Sequence, residues 1–191
     1  MIKRLVPLII IISFLIGCNT NSKIEYTYFG GKIIHPKDSI VILTGNNGFK
    51  DTLELCSDNT FMGQYRNFKS GLYYFKHGVE HQYAYIEAKD SLIFRLNTWD
   101  FDESLVFTGD GAEKNNILID CFLESEKEGK NHNLFMFYGL EPNMFKFKMD
   151  SILVIRQQKI DDFKSKNENL SDTYLQLLDV VAKYPIYNRF E

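Results

Sequence analysis

Three polar residues near the middle of the chain have the order of a zinc-binding motif. His77, Glu80 and His81 read H-x-x-E-H, which in zinc peptidases of the inverted type places two imidazoles and a carboxylate on one face of a helix. Here YYFK precedes the motif and QYAYIEA follows it, and both are strand-like, while Gly78 is a turn residue. The histidines are therefore expected to flank the bend of a β-hairpin, and we predict no metal there unless the two rings meet across the bend.

The stretch FTGDGAEKNNIL has the outline of a nucleotide-binding loop. Gly109-Asp110-Gly111 matches the first half of G-x-G-x-x-G, but Lys114 stands in the place of the third glycine. Asp110 and Glu113 would also put negative charge where a pyrophosphate has to lie. The stretch is therefore predicted to be a strand-to-helix corner whose glycines free the backbone, and no cofactor is predicted.

The remaining polar residues do not form a catalytic pattern. Asp100 and Asp102 could begin a calcium loop, but Leu105 stands where such a loop needs glycine, and the twelfth position is not glutamate. We predict that both aspartates lie on the solvated rim of a strand. His35 and His132 occupy polar, turn-like segments and are expected at the surface. The sequence has no G-x-S-x-G either, so no catalytic residue is predicted.

The amino terminus carries the features of a bacterial lipoprotein. Two positive charges precede an apolar run that is shorter than the roughly 20 residues of a spanning helix, which predicts a signal peptide over residues 1–17. Leu15-Ile16-Gly17-Cys18 resembles the lipobox, in which the cysteine is acylated and the signal is cut before it. Cys18 is therefore the predicted lipidation site, followed by a linker over residues 18–22. Because each buried methylene contributes about 0.8 kcal/mol, several acyl chains would hold the chain on a bilayer.

The predicted location is the cell envelope, on the periplasmic side or at the outer membrane. The formal net charge is -3 and no basic cluster occurs, so binding to nucleic acid is not expected. An oxidising envelope would permit a disulfide between Cys56 and Cys121. Two unpaired thiols are favoured instead, because Cys121 belongs to an apolar helical stripe and Cys56 shares a strand face with Thr52 and Glu54.

The first part of the mature chain, residues 23–108, is predicted to be all β. Short apolar runs alternate with turn residues at the spacing of a sandwich or open barrel. In SLIFRLN, for example, Leu92, Phe94 and Leu96 point to one face, which is therefore buried. Gly30-Gly31 and Lys89-Asp90 are among the expected turns. The predicted strands are 24–34, 39–44, 50–56, 60–67, 71–76, 82–88, 91–97 and 105–108.

The second part, residues 109–191, changes to helical periodicity. A first helix is predicted over about 113–127, with a buried stripe that includes Cys121, and the polar residues 128–131 are expected to end it. A second helix is predicted from Pro142, and its buried stripe includes Arg156. Ser171 is the predicted cap of a third helix. The fold class is therefore α+β: an antiparallel β-sandwich-like domain followed by a helical segment.

The order of these features resembles the amino-terminal part of TlpA-like thiol-disulfide lipoproteins of Bacteroidetes. The resemblance rests on the lipobox, DTLELCSDNTFMGQY, the hairpin GLYYFKHGVEHQYAYIEAKDSLIFRLN, and FDESLVFTGDGAEKNNIL. The resemblance implies a β domain followed by a helical segment. In that family, these two parts precede a thioredoxin domain with W-C-x-x-C. Asn59 and Lys89 depart from the family's turn glycines. Trp99 is the one tryptophan and has no cysteine beside it, so no redox role passes to a residue of this chain.

Three functions remain open at this point. The favoured one is a membrane-anchored, non-catalytic accessory or binding module, with an envelope protein or a small ligand as its partner. The second is the truncated front half of a TlpA-like oxidoreductase, because the chain ends at Glu191 directly after an apolar helix. The third is a carrier that holds a small apolar ligand in the mouth of an open barrel.

Overall fold

The computed structural model describes residues 25–46, 48–131 and 138–188. In these ranges the chain forms two four-stranded sheets followed by helices, which confirms the predicted α+β class. Each predicted strand is present within two residues of its expected bounds. The strands are β1 (Tyr26–Ile34), β2 (Ile40–Gly45), β3 (Lys50–Glu54), β4 (Thr60–Arg66), β5 (Gly71–His77), β6 (Glu80–Ile86), β7 (Ser91–Asn97) and β8 (Val106–Gly109). The helices are α1 (Ala112–Asn131), α2 (Pro142–Lys166) and α3 (Asp172–Tyr187).

The two sheets differ in strand order and in the direction of one strand pair. Sheet A has the strand order β4-β1-β7-β8, and sheet B has the order β3-β2-β5-β6. Every neighbouring pair is antiparallel except β1 and β7, which run parallel. The prediction of antiparallel pairing is therefore wrong for this pair. The reason is that the chain leaves sheet A after β4, forms the β5–β6 hairpin in sheet B and returns to sheet A as β7, so β1 and β7 are joined by a long crossover connection.

Aromatic rings fill the space between the sheets. Phe94 of sheet A stacks on Phe75 of sheet B, with ring centroids 4.6 Å apart, and Phe29 contacts both rings. Leu92, Phe94 and Leu96 are at most 1% exposed, which confirms the alternation predicted for SLIFRLN. Because rings in tilted and stacked contact add to the burial of apolar area, this cluster is the main stabilising core of the sandwich.

The predicted turn at Gly30-Gly31 is wrong, because both glycines lie inside β1. A Cβ atom on Gly30 would lie 2.6 Å from the carbonyl oxygen of Phe61, and one on Gly31 would lie 2.4 Å from that of Phe94. The glycines therefore allow β1 to approach β4 and β7 closely in the middle of sheet A. The turns predicted at Asn59 and Lys89 are confirmed, with φ angles of 65° and 77°.

Helix α1 closes the side of the sandwich between the edge strands β6 and β8. The side chain of Asn115 accepts from the backbone N–H of Tyr85 on β6 (2.7 Å) and donates to its carbonyl (2.8 Å). Asn116 makes the same pair of bonds with Phe107 on β8, at 2.9 and 3.0 Å. Two consecutive side chains thus each occupy the backbone N–H and carbonyl of one residue on an edge strand, which reduces the capacity of that edge to pair with another chain.

The outer side of α1 packs against α2 and α3 in a second core. Cys121 and Ile160 are buried there with Tyr174 and Leu178, so the predicted apolar stripes are confirmed. The predicted cap is confirmed too, because Ser171 Oγ accepts from the backbone N–H of Tyr174. The described part of the chain has no helix that is long and apolar enough to cross a membrane.

The predicted end of the first helix at residue 127 is wrong, because α1 continues to Asn131. Glu128, the first of the polar residues that suggested a break, contacts α2. Arg156, which is 2% exposed, donates to Glu124 and, at 2.8 Å, to Glu128. The carboxylate of Glu128 therefore faces the neighbouring helix, where the buried guanidinium compensates its charge.

Candidate functional site

The H-x-x-E-H motif forms the β5–β6 hairpin, as predicted. His77 is 2% exposed, and its Nε2 accepts from the backbone N–H of Lys37 at 3.0 Å, so Nδ1 carries the proton and donates to the carbonyl of Ile40 at 2.9 Å. His81 pairs in register with Lys76, one residue before His77, and therefore points to the opposite face of the sheet. No group of three metal-ligating side chains occurs among the described residues.

The glycine-rich corner is also confirmed. Gly109 and Gly111 have φ angles of 85° and 90°, and a Cβ on Gly111 would lie 2.6 Å from a carboxylate oxygen of Asp90. That oxygen accepts from the backbone N–H of Glu87 at 2.8 Å, and burial raises the pKa of Asp90. The place beside the glycines is thus taken by a carboxylate of the protein itself, in contact range of Lys114 at 3.8 Å.

The other polar residues singled out from the sequence are dispersed. Asp100 is exposed, as predicted, but Asp102 is half-buried, so the predicted solvated position is wrong for it. Gln82 donates to Asp102 at 2.9 Å, and burial raises the pKa of that carboxyl group. His35 is exposed, as predicted, and stacks on the indole of Trp99 with centroids 3.7 Å apart.

Cys56 and Cys121 lie in different environments. Cys56 is an exposed free thiol in the turn between β3 and β4, whereas Cys121 is a buried free thiol on α1. Burial raises the pKa of the Cys121 thiol, which keeps it protonated and unreactive. The predicted lipidation site Cys18 lies outside the described residues, as does His132.

The feature with the chemistry of a binding site is a groove on the outer face of sheet A. It has a volume of about 590 Å³, within the range of about 300–1,000 Å³ that is usual for small-molecule sites. The turn at Cys56 borders it beside β4, and Ser104 borders it beside β8. We refer to it as the sheet A groove, and it is lined by Gly31, Lys32, Cys56, Thr60, Phe61, Met62, Ile93, Phe94, Arg95, Ser104, Val106 and Thr108.

The strand register divides the groove into two rows of side chains. Lys32 is the register partner of Arg95 on one side and of Thr60 on the other, so these residues form a polar row. Gly30 is the partner of both Met62 and Ile93, which form a second, apolar row. Because the rows are two residues apart along the strands, they are separated by about 7 Å.

The polar row carries positive charge that the protein does not neutralise by pairing. Neither Lys32 nor Arg95 forms a salt bridge or a side-chain hydrogen bond within the described ranges. No acidic residue is among those that line the groove. The pKa of Asp58, at the exposed β3–β4 turn, is lowered mainly by its hydrogen bonds from Thr60 and to a smaller extent by Lys32. The groove is therefore a positive patch on a chain of net charge -3.

The apolar row leaves hydrophobic side chains open to solvent. Met62 is 55% exposed, and its thioether lies across Gly30, where a Cβ atom would be 2.8 Å from Sδ. Val106, at the end of the polar row on β8, is 52% exposed. Ile93, which shares the apolar row with Met62, is half-buried. A thioether can adapt to different ligand shapes, so this row suits an apolar group.

No family model, curated protein or solved structure matches this chain. The resemblance to the front part of TlpA-like lipoproteins therefore stays a prediction.

A second depression, between α1 and α2, is larger, but its lining does not favour one class of ligand. Its volume is about 740 Å³, and acidic and basic side chains alternate along it, among them Asp120, Lys159 and Asp162. Lys159 is already paired with Glu124 at 2.7 Å. Because its charges are mixed and partly paired, this depression offers no ligand class a clear advantage, and the sheet A groove is the stronger candidate.

The sheet A groove could not be predicted from the sequence alone. Lys32 and Arg95 are neighbours only because β1 and β7 lie side by side in parallel, and no local sequence pattern predicts that contact. A usable signal was the alternation in β1 and β7, where Lys32, Ile93 and Arg95 fall on the face opposite to the buried residues.

Proposed function

We propose that this protein is a lipid-anchored, non-catalytic binding module of the cell envelope and that the sheet A groove is its binding surface. The observation that carries the proposal is the groove itself, an open site that combines two unpaired cations with exposed apolar side chains. Exposed apolar patches beside charged residues are typical of ligand and partner sites.

Acylation of Cys18 would supply the attachment to the bilayer. Several acyl chains bind a membrane tightly, which a single chain does not. The sandwich would then be held near the membrane by the short segment between residues 18 and 26, so a ligand from the envelope could reach the outer face of sheet A.

A ligand site inside the sandwich has less support than one on the outside. The rings of Phe29, Phe75 and Phe94 are fully or almost fully buried and occupy the space between the sheets. The alternative function as a carrier of an apolar ligand would therefore use the outer groove. The alternative function as the front half of a redox enzyme rests on the sequence resemblance alone.

The proposal can be tested with the exposed thiol at the border of the groove. Cys56 is alkylated with N-ethylmaleimide in intact envelopes and in the purified full chain, and peptide mass spectrometry resolves it from Cys18 and from the buried Cys121. We expect slower alkylation of Cys56 in the envelope, because a bound partner covers the groove. The same spectra should show acyl chains on Cys18. Equal rates for Cys56, or an unmodified thiol at Cys18, would contradict the proposal.

A further inference from the structure

We infer that the sheet A groove binds small anionic amphiphiles, molecules with one anionic head group and one apolar chain. In this assignment, which rests on the proposed function of the groove as a binding site, Lys32 and Arg95 bind the head group. The apolar chain of the ligand lies along the row of Met62 and Ile93.

The two cations provide the first argument. Lys32 and Arg95 are direct register partners on neighbouring strands, and like charges in that position repel each other. Thr60 is the next residue in the row, but its hydroxyl already donates to Asp58 at 2.7 Å. An anion between the two side chains would replace this repulsion by two favourable charge pairs, and the guanidinium of Arg95 could bind a carboxylate or a phosphate in a bidentate manner.

The apolar row lies about 7 Å from the row of the two cations. Met62 of this row is 55% exposed and Ile93 is half-buried, and Val106, the register partner of Arg95, adds a side chain that is 52% exposed beside the cations. Covering such side chains with an alkyl chain contributes about 25 cal/mol per Å² of buried apolar area. A simple inorganic anion would leave this area in water, and a neutral apolar molecule would leave the cations unpaired.

Larger partners fit the groove less well than a small molecule does. A peptide strand could add to the edge of sheet A at β8, but Asn116 already occupies the N–H and carbonyl of Phe107 there. A polynucleotide would need a longer basic track than one lysine and one arginine. The volume of about 590 Å³ instead matches a single small molecule.

The experiment uses the full chain in nanodiscs of phosphatidylcholine, which has no net charge. The probes are decanoate, decyl phosphate, 1-decanol and inorganic phosphate, and the readout is the protection of Cys56 from alkylation. We expect decanoate or decyl phosphate to protect Cys56 at concentrations about tenfold lower than 1-decanol, a difference of about 1.4 kcal/mol, as expected for two exposed charge pairs. Comparing the two anions shows whether a carboxylate or a phosphate head is preferred.

Charge removal provides the matched comparison. In Lys32→Gln/Arg95→Gln the advantage of the anionic probes over 1-decanol should disappear. Lys50→Gln/Lys76→Gln removes two exposed cations from sheet B and should leave that advantage intact. Equal protection by decanoate, decyl phosphate and 1-decanol would overturn the assignment, as would protection by inorganic phosphate alone or by no probe. The alkylation rate of Cys56 in intact envelopes tests separately whether the groove is a binding surface.

Discussion

Asn115 and Asn116 are neighbours on α1, yet each forms two hydrogen bonds with the edge strand of a different sheet. Asn115 pairs with the backbone of Tyr85 on β6, and Asn116 pairs with that of Phe107 on β8. Asn115 is 1% exposed and also donates to the carbonyl of Gly111 at 2.9 Å. The helix therefore closes the sandwich through specific polar contacts as well as through apolar burial.

This relationship predicts unequal costs for two adjacent substitutions. Asn115→Ala should lower the free energy of unfolding by about 3 kcal/mol, because the N–H and carbonyl of Tyr85 lose their partner in a buried place. Asn116→Ala should lower it by about 1–2 kcal/mol, because Phe107 can regain water as a partner. Urea denaturation measures both. Asn143→Ala, at an exposed position of α2, is the control and should change it by no more than about 0.5 kcal/mol. Equal values for all three would contradict this role.

Two glycine substitutions should have opposite effects on stability. Gly111→Ala should destabilise the protein by about 1–3 kcal/mol, because its φ of 90° is strained for alanine and the new Cβ meets the carboxylate of Asp90. Gly129→Ala lies within α1, where a Cβ meets nothing within 4 Å, and should stabilise it by about 0.5–1 kcal/mol. Thermal unfolding of both variants measures the difference. A loss at Gly129, or none at Gly111, would show that the corner is built differently.

The ion pairs between the buried Arg156 of α2 and two partly exposed glutamates of α1 predict a loss of stability when the cation is removed. Arg156→Met should cost about 1–3 kcal/mol, because Glu128, whose side chain is 24% exposed, loses the guanidinium that compensates its charge. Adding Glu128→Leu should recover part of the loss. Lys146→Met breaks an exposed pair with Asp150 and should cost no more than about 0.5 kcal/mol. Urea denaturation distinguishes these outcomes, and an effect of Arg156→Met no larger than that of Lys146→Met would contradict the prediction.

Asp90 predicts a pH-dependent contribution to stability. Burial raises the pKa of this carboxyl group above its ordinary value of 3.8, although the N–H of Glu87 and the charge of Lys114 act in the opposite direction. Its contribution is therefore fully present below pH 3.8 and is lost as the pH rises through the raised pKa of the folded state. Asp90→Asn removes this loss. The difference in the free energy of unfolding between the variant and the natural protein should therefore shift in favour of the variant as the pH rises from 3.8 to neutrality. Asp100→Asn, at an exposed position, is the control, and urea denaturation across this range measures both.

Much of the fold could be predicted because its determinants are local. The alternation of Leu92, Phe94 and Leu96 identifies β7 and its buried face without knowledge of any partner strand. Turn residues such as Asn59 and Lys89 adopt positive φ angles for reasons internal to the turn. Ser171 caps its helix through a neighbour three residues away.

What could not be predicted depends on contacts between distant residues. A glycine serves a turn and a close strand approach equally well, so Gly30-Gly31 could be assigned only once β4 and β7 were in place. Glu128, in the part of α1 beyond its predicted end, has its partner Arg156 on another helix. For Asn115 a signal was present, because it shares a helical face with Leu118 and Ile119, and an asparagine among buried residues needs a hydrogen-bond partner.

The sheet A groove as the binding site is tested most directly by methyl NMR of the full chain in phosphatidylcholine nanodiscs, titrated with decanoate. Ile93 and Leu92 are adjacent on β7 but face opposite sides of the sheet, so they form a matched pair of reporters. The account predicts that the methyl signals of Met62, Ile93 and Val106 shift with decanoate while those of Leu92 and Leu96 stay in place. Shifts confined to the core or to the helices, or no shifts at all, would contradict it.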